Sequence, residues 1–190
     1  PPDASRCRDT AMSRRVAVRL GDASVAVSRL PRTRYNTHRM KLAYSSNAYM
    51  RHGVLDAVDR IAGLGYRGIE LMADLPHLWP ATTTPAEVDR VRRRLDERGM
   101  TVSNVNAFMM NAVGDFWHPS WIEEDEDYRA LRVDHTIAAL RMAALLGAPS
   151  ITTEPGGPLA EGHSREQAIE RFVEGLRKAL FQKAAQQKPS

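Results

Sequence analysis

Several residues of this sequence are of types that can transfer protons, and Glu154 is the foremost of them. Glu154 ends a short strand-like run and precedes the turn Pro155-Gly156-Gly157-Pro158, whose glycines allow the backbone to approach a ligand closely. A carboxylate at the end of a strand can take up or release a proton, and it is costly to bury without a partner. We therefore predict Glu154 as a catalytic residue. The alternative is a carboxylate that accepts hydrogen bonds from the amides of its own turn.

Three further polar residues lie in strand-like runs. Glu70 follows Ile69 near the end of one run, and Asn104 and Asn106 lie in another. Such groups can bind the hydroxyls of a ligand, so we predict all three as substrate-binding, and we expect one of the two asparagines to face the interior of the site. For Glu70 the alternative is pairing with a neighbouring arginine or with a helix N-terminus.

Histidine and tryptophan occur together in the two longest loops. His77 follows Asp74-Leu75-Pro76, and His118 follows Trp117. An imidazole can donate to an oxygen or bind a metal, and a tryptophan ring offers a flat surface for stacking. We predict His77, Trp117 and His118 as substrate-binding, with a structural hydrogen bond as the alternative for each histidine. The other histidines beyond residue 40 fit solvated positions: His52, His135 and His163.

The cysteine and apolar content excludes several classes of protein. Cys7 is the only cysteine, which excludes an intramolecular disulfide scaffold and a cysteine-based zinc site and favours a reducing cytoplasm. Any metal would need His, Asp or Glu ligands, and the spacing identifies no such set. No run approaches the roughly 20 apolar residues of a membrane span, so a transmembrane protein is excluded.

The net charge of +4 belongs to the first 39 residues. They hold nine arginines and three aspartates, which leaves 18 basic and 20 acidic side chains for residues 40–190. Because this segment lacks a sustained apolar periodicity, we predict a disordered, Arg-rich N-terminal extension and a domain that starts at Met40. A targeting peptide or a nucleic-acid-binding arm is the alternative.

Residues 40–181 alternate between two patterns. Strand-like runs are predicted at 42–45, 68–72, 101–106 and 149–154. Apolar residues three and four apart predict a helix after each run, at 54–64, 84–98, 123–147 and 164–181. Capping boxes and glycines mark the helix ends: Thr84, Ser164, Gly65, Gly99 and Gly147. Residues 182–190 are predicted to form a polar tail.

Four strand–helix pairs in strict alternation predict an α/β fold with a parallel sheet and right-handed crossovers. An open doubly wound sheet normally has a glycine-rich phosphate turn after its first strand, and residues 45–49 contain no glycine. Long loops after the strands and short returns before them are typical of a TIM barrel. Since a barrel needs eight units, the sequence predicts four of the eight units, an incomplete barrel.

Four segments carry a resemblance to a known family: 40–44 (MKLAY), 65–74 (GYRGIELMAD), 102–108 (VSNVNAF) and 150–158 (SITTEPGGP). They are similar to the xylose isomerase-like TIM-barrel superfamily, the sugar phosphate isomerases and epimerases. The passage LGYRGIEL at 64–71 is the most diagnostic, and the similarity runs from Met40 to about Leu180. It covers the N-terminal half of such a barrel.

The resemblance implies proton transfer on a small sugar or sugar phosphate. In that family a divalent metal (Mn, Mg, Co or Zn) polarises the substrate oxygens while two glutamates move a proton. The family carries those metal ligands on strands five to eight, beyond Ser190, so the resemblance assigns no metal centre to this sequence. Whether the chain by itself is an enzyme is left open.

Two alternatives accompany this interpretation. The superfamily also contains zinc-dependent abasic-site endonucleases, but that branch carries a metal-binding histidine near the position of Glu154, and the net negative charge of residues 40–190 disfavours nucleic acid. A truncated, non-enzymatic half barrel is the other. It would expose two strand edges and an apolar inner face of Val, Ile and Met, so we expect a homodimer or other self-association, and no membrane partner.

Overall fold

The computed structural model describes residues 41–159 and 161–186, with side chains as far as residue 181. Four strands are present: Ala43–Ser45 (β1), Gly68–Met72 (β2), Thr101–Asn106 (β3) and Ile151–Thr152 (β4). Four helices alternate with them: Val54–Gly63 (α1), Pro85–Glu97 (α2), Glu126–Leu145 (α3) and Arg165–Gln186 (α4). Among these helices, none is both long and apolar enough to cross a membrane. The predicted extension at 1–39 and residues 187–190 of the predicted tail lie outside the described residues.

The sheet confirms the predicted incomplete α/β barrel. The strands pair in the order β1-β2-β3-β4, every pair is parallel, and the sheet does not close. Strands β1 and β4 therefore each have one unpaired edge within the described chain. The carboxyl ends of all four strands lie at one side, where barrels of this type carry their sites.

Local signals in the sequence place the helix ends correctly. The Thr84 hydroxyl accepts from the Glu87 amide (3.3 Å), and the Glu87 carboxylate accepts from the Thr84 amide (2.8 Å). The bond from the Thr84 amide, with a second one from the Thr84 hydroxyl, holds the pKa of the Glu87 carboxyl below its usual range. Pro85 opens α2, and the three helix-ending glycines have positive φ angles: Gly65, Gly99 and Gly147. The predicted capping box and glycine stops are confirmed.

Three elements differ most from their predicted ranges. β4 contains only Ile151–Thr152 and not 149–154, because its pairing with β3 is confined to these two residues. The Thr153 hydroxyl accepts from the Trp121 indole (2.9 Å). α3 begins at Glu126 because the Asp125 side chain caps the amides of residues 127 and 128. α4 continues to Gln186 through residues that were predicted to be tail, since Lys, Ala and Gln are good helix formers.

The core lies between one face of the sheet and the helices. Ile69 and Leu71 of β2 and Val105 of β3 are fully buried in one cluster with apolar side chains of α1, α2 and α3. A smaller cluster holds α4 to α3 around Trp121. Gly175 of α4 permits this contact, because a Cβ there would lie 2.7 Å from the Trp121 ring.

The other face of the sheet is polar, so the expectation of an uncovered apolar inner face is wrong. Side chains alternate along a strand, and the sequence of β2 places Ile69 and Leu71 under the helices and Glu70 on the opposite side. Asn104 of β3 and Thr152 of β4 share that side with Glu70, since all three are joined by hydrogen bonds. Ile69, Leu71 and Val105 therefore face the helices and not the open side. Met72 is the buried apolar residue of β2 that the alternation places on the same side as Glu70.

Candidate functional site

A row of hydrogen-bonded polar side chains crosses three neighbouring strands. Asn104 Nδ2 donates to Glu70 Oε2 (2.8 Å) and to Thr152 Oγ1 (3.0 Å). The Ser150 hydroxyl donates to Asn104 Oδ1 (2.9 Å). A bulge in the pairing between Ile69 and Glu70 brings Asn104 opposite Glu70. Two of the residues that we predicted as substrate-binding, Glu70 and Asn104, are thus in direct contact on the open face.

Asn106 organises the start of the loop between β3 and α3. Its Oδ1 accepts from the Phe108 amide (2.9 Å), which closes a turn directly after the strand. In the register Asn106 pairs with Thr152 and Asn104 with Glu70. Asn106 therefore lies at the carboxyl end of β3, opposite Thr152 of the row.

Asp74, in the loop after β2, anchors the loop after β3. Its carboxylate is 1% exposed and accepts five hydrogen bonds, all between 2.7 and 3.1 Å. The donors are the amides of Leu75, Met110, Asn111 and Ala112 and the side-chain amide of Asn111. One buried carboxylate therefore joins two loops that are 36 or more residues apart in the chain.

His118 is held by a carboxylate. Its Nδ1 lies 2.6 Å from Glu123 Oε1, which also accepts from the Ser120 amide (2.7 Å). Because a carboxylate only accepts, Nδ1 carries a proton, and Nε2 has no hydrogen-bond partner among the described residues. Asp115 Oδ1 accepts from the amides of Trp117 (2.7 Å) and His118 (3.1 Å), and these bonds lower the pKa of Asp115. The loop thus fixes a partly exposed imidazole in one orientation.

Exposed aromatic rings stand beside this histidine. Trp117 is 50% exposed, and its ring meets that of Phe116 edge-on with centroids 5.1 Å apart. Phe116 in turn meets Phe108 at 5.5 Å. Flat apolar surface next to hydrogen-bonding groups is suited to binding a ring that has one apolar face.

Glu154 is exposed after β4, and its charge lies near a buried arginine. Arg132 of α3 is 1% exposed, and its Nε donates to the Pro119 carbonyl (2.8 Å). Burial lowers the pKa of Arg132, and the nearby charge of Glu154 is the largest influence that raises it. No amide of the 155–158 turn donates to Glu154 within the described chain. Arg132 therefore contacts the loop of His118 through the Pro119 carbonyl, and it lies near the charge of Glu154.

The glycines of the 155–158 turn serve loop packing. A Cβ at Gly156 would lie 2.0 Å from Ser120 Cβ, and a Cβ at Gly157 would lie 2.8 Å from Trp117 Cβ. The space in which we expected a ligand to meet backbone is occupied by the loop after β3. The turn therefore positions Trp117 and the His118 loop relative to Glu154.

A family model described as a xylose isomerase-like TIM barrel matches residues 58–187, which is more than half of the chain. The chain belongs to the xylose isomerase-like TIM barrel family. This confirms the family resemblance of the sequence. No curated protein matches the chain.

Solved structures similar to this family member include two epimerases and a nuclease relative. The 3-keto-D-glucoside 4-epimerase of E. coli is 18% identical, with a TM-score of 0.55 over 78% of this chain and 53% of that one. A D-psicose 3-epimerase crystallised in the presence of D-fructose is 19% identical (TM-score 0.54; 76% and 50%). A family 2 AP endonuclease from Brucella melitensis is 20% identical (TM-score 0.52; 77% and 52%). The chain spans about half the length of these structures, and the likeness shows the fold.

The described part of this xylose isomerase-like chain does not fit a metal centre. No group of three or more His, Cys, Asp or Glu residues among the described residues could hold a metal ion. His118 has a carboxylate partner in Glu123, and Glu70 has an amide partner in Asn104. The mechanism proposed for these residues therefore passes through no metal.

His77 is buried between the 3₁₀ turn Ser46–Tyr49 and the loop after β2. It is 9% exposed, Nδ1 lies 3.1 Å from Ser46 Oγ, and Nε2 lies 3.3 Å from the Tyr49 carbonyl. The carbonyl can only accept, so Nε2 carries the proton and Nδ1 accepts from the hydroxyl, which itself accepts from the Met72 amide (3.0 Å). Burial lowers the pKa of His77. A substrate would have to break one of these bonds to reach the ring.

The prediction of a solvated His135 is wrong. The ring is 6% exposed, stacks on Trp79 at 4.9 Å, and its Nε2 donates to the Ala107 carbonyl (3.1 Å). Burial, with a smaller contribution from the Arg132 charge, lowers the pKa of His135 to about 4. The loops after β2 and β3 cover this side of α3, and a helical pattern in the sequence does not reveal loops that fold over it.

Sequence reasoning passed over four residues that build the site: Asp74, Glu123, Arg132 and Thr152. Asp74 lies two residues after the end of a strand-like run, and a polar residue at the end of such a run is the signal that singled out Glu154. Glu123 stands five residues after His118, within an acidic stretch that we took as a helix start. Nothing in the local pattern distinguishes Arg132 from an exposed helical arginine.

We predict that Gly156→Ala lowers the free energy of unfolding by about 2 kcal/mol, because its φ of +107° is strained for alanine and the methyl group would overlap Ser120. Urea titration measures the loss. The matched control is Gly63→Ala in α1, where a Cβ meets nothing within 4 Å and alanine stabilises a helix by up to about 1 kcal/mol. Equal stability of the two variants would contradict the proposed loop packing.

Proposed function

We propose that the carboxyl end of this sheet binds a small sugar or sugar phosphate and forms part of an isomerase or epimerase site. The observation that carries the proposal is the Glu70–Asn104–Thr152 row, which presents carboxylate, amide and hydroxyl groups on an open polar face. Sugar hydroxyls both donate and accept, so such a mixed row suits them. The epimerase titles of two similar structures point to the same substrate class.

The proposed reaction is proton transfer at a carbon next to a carbonyl group. Glu154 takes the proton, the electron pair of the broken C–H bond forms the C=C bond of an enediolate, and the carbonyl π pair moves onto its oxygen. The Glu154 carboxylic acid then returns the proton to carbon as a C=O bond forms again. His118 Nε2 accepts a hydrogen bond from a substrate hydroxyl, and Trp117 stacks on the apolar side of the sugar. Glu70, Asn104 and Asn106 bind further hydroxyls. His77 would bind a substrate hydroxyl by exchanging one of its hydrogen bonds to Ser46 and Tyr49.

Three further features belong to this proposal. A divalent metal (Mn, Mg, Co or Zn) would polarise the substrate oxygens, as in the family, and its ligands would not come from the described residues alone. A second copy of the chain could meet the open edges of β1 and β4 and form a homodimer. The single Cys7 supports a cytoplasmic location.

The nuclease alternative has weaker support, since residues 40–190 carry more acidic than basic side chains.

Titration of the ¹⁵N-labelled chain with D-fructose tests the proposal. With sugar raised to about 100 mM, which detects millimolar Kd values, we expect amide shifts at residues 70, 104 and 117. Trp117→Ala should weaken binding by about tenfold, because it removes the stacking surface. Phe181→Ala, which removes a still more exposed aromatic ring from α4, should leave binding unchanged.

Sedimentation of the same samples at two protein concentrations distinguishes the monomer from the homodimer. Sugar binding that strengthens with the dimer fraction would support completion of the site by a second copy. Absence of shifts with D-fructose and with a sugar phosphate, or shifts that Trp117→Ala does not change, would contradict the proposed sugar site and favour a non-enzymatic half barrel.

A further inference from the structure

A cavity lies on the outer side of α3, away from the polar row. Its volume is about 330 Å³. It is formed by the loop after β2, the loop after β3 and the exposed side of α3, with mainly apolar lining: residues 79–81, Met109, Val113, Leu131, Asp134, His135 and Ala138. None of the residues proposed to bind the sugar lines it, so it is a separate site.

The cavity is preformed, because both loops are fixed by hydrogen bonds. The amides of residues 110–112, between Met109 and Val113, all bond to Asp74. The Ala107 carbonyl at the start of the same loop accepts from His135. Trp79 of the other loop stacks on the His135 ring with an interplanar angle of 22°. Because these loops are already fixed, little conformational entropy is lost when a ligand enters the cavity.

The polar groups of the lining are mostly acceptors. His135 donates through Nε2, and its pKa of about 4 keeps the ring neutral, so Nδ1 is an acceptor. Nδ1 has no hydrogen-bond partner among the described residues. Because it is not among the fully buried side-chain atoms that lack a partner, it is accessible to a ligand. Asp134 is exposed at the rim and forms no ion pair within the described chain. Apart from the Trp79 indole N–H, the lining side chains offer no donor.

We propose that this cavity binds a small arylalkylamine, that is, one or two aromatic rings with a protonated amino group on a short alkyl chain. The apolar wall and the Trp79–His135 stack accept the ring, since an apolar cavity of about 150 Å³ already admits benzene and this one is about twice as large. An ammonium group only donates, which matches the acceptors, and its charge complements Asp134. The exposed Leu131 and Val113 at the rim extend the apolar contact.

Tryptamine is the probe, and indole-3-propionate is its anionic counterpart with the same ring. Saturation-transfer NMR and protein amide shifts measure binding to the full chain. We expect tryptamine to shift the Trp79 indole signal and the amides of residues 131–138. It should bind about fivefold more tightly than indole-3-propionate, the upper end for one contact with an exposed carboxylate.

Two variants locate the site. Asp134→Asn should reduce the preference for tryptamine over the anion to about one, and Ala138→Trp should abolish binding by filling the cavity. Glu170→Gln, which removes an exposed carboxylate from α4, is the matched control and should change nothing. Because Asp134 is exposed, its variant remains informative if Ala138→Trp fails to fold. The proposal is overturned if tryptamine does not bind at about 10 mM, well above a useful Kd, or if Asp134→Asn leaves its preference intact.

Discussion

Asp74→Asn should lower the free energy of unfolding by about 4 kcal/mol, the largest loss that we expect from one substitution in this chain. The carboxylate accepts five hydrogen bonds in a buried position, and an amide replaces one accepting oxygen with a donor. At least two backbone N–H groups would then face another N–H. The loop after β3 would lose its attachment to the loop after β2.

Urea denaturation followed by circular dichroism measures this loss. Asp89→Asn, an exposed aspartate on α2, is the control, and it should stay within about 0.5 kcal/mol of the wild type. Amide exchange at residues 110–112 adds a local readout, since those N–H groups are the donors. If Asp74→Asn were as stable as Asp89→Asn, the bonds to Asp74 would not hold the two loops together.

The second large effect is a loss of stability in mild acid that depends on His135. Its pKa is about 4 in the folded chain and near 6.5 when exposed, so the unfolded chain takes up the proton first as the pH falls. The stabilisation is complete above pH 6.5 and is lost as the pH falls to about 4, by about 3 kcal/mol in total. His77, whose pKa is also lowered by burial, adds a contribution of the same sign.

His135→Gln isolates this contribution, because glutamine keeps a donor for the Ala107 carbonyl and does not titrate. The free energy of unfolding of this variant should fall less steeply than that of the wild type between pH 6.5 and 4. Parallel pH profiles for His135→Gln and the wild type would refute the assigned pKa.

Elements with local causes could be predicted from the sequence. The capping box at Thr84, the positive φ at Gly65 and the whole of β2 and β3 follow from signals within a few residues. The alternation of short strands and helices indicated a parallel sheet, and the absence of a glycine-rich turn excluded a doubly wound sheet. Each of these features depends on chain neighbours, which a sequence displays directly.

Contacts across the fold could not be predicted in this way. Asp74 meets donors 36 to 38 residues away, and Arg132 and His135 are buried by loops and not by the regular core. α3 carries polar and apolar residues on its buried sides alike, so its pattern does not show which residues are covered. The candidate residues in contact on the sheet, Glu70 and Asn104, were found because strand ends of a parallel sheet converge.

The close approach of Gly156 to Ser120 has a consequence for how such chains can diverge. Two positions 36 residues apart share a space that holds one Cβ but not two. In natural relatives that keep this loop arrangement, a larger residue at either position should be accompanied by a change at the other, and an insertion in one loop by a compensating insertion or deletion in its neighbour. The two loops should therefore evolve as a single inherited unit, in which positions 117, 120, 156 and 157 covary.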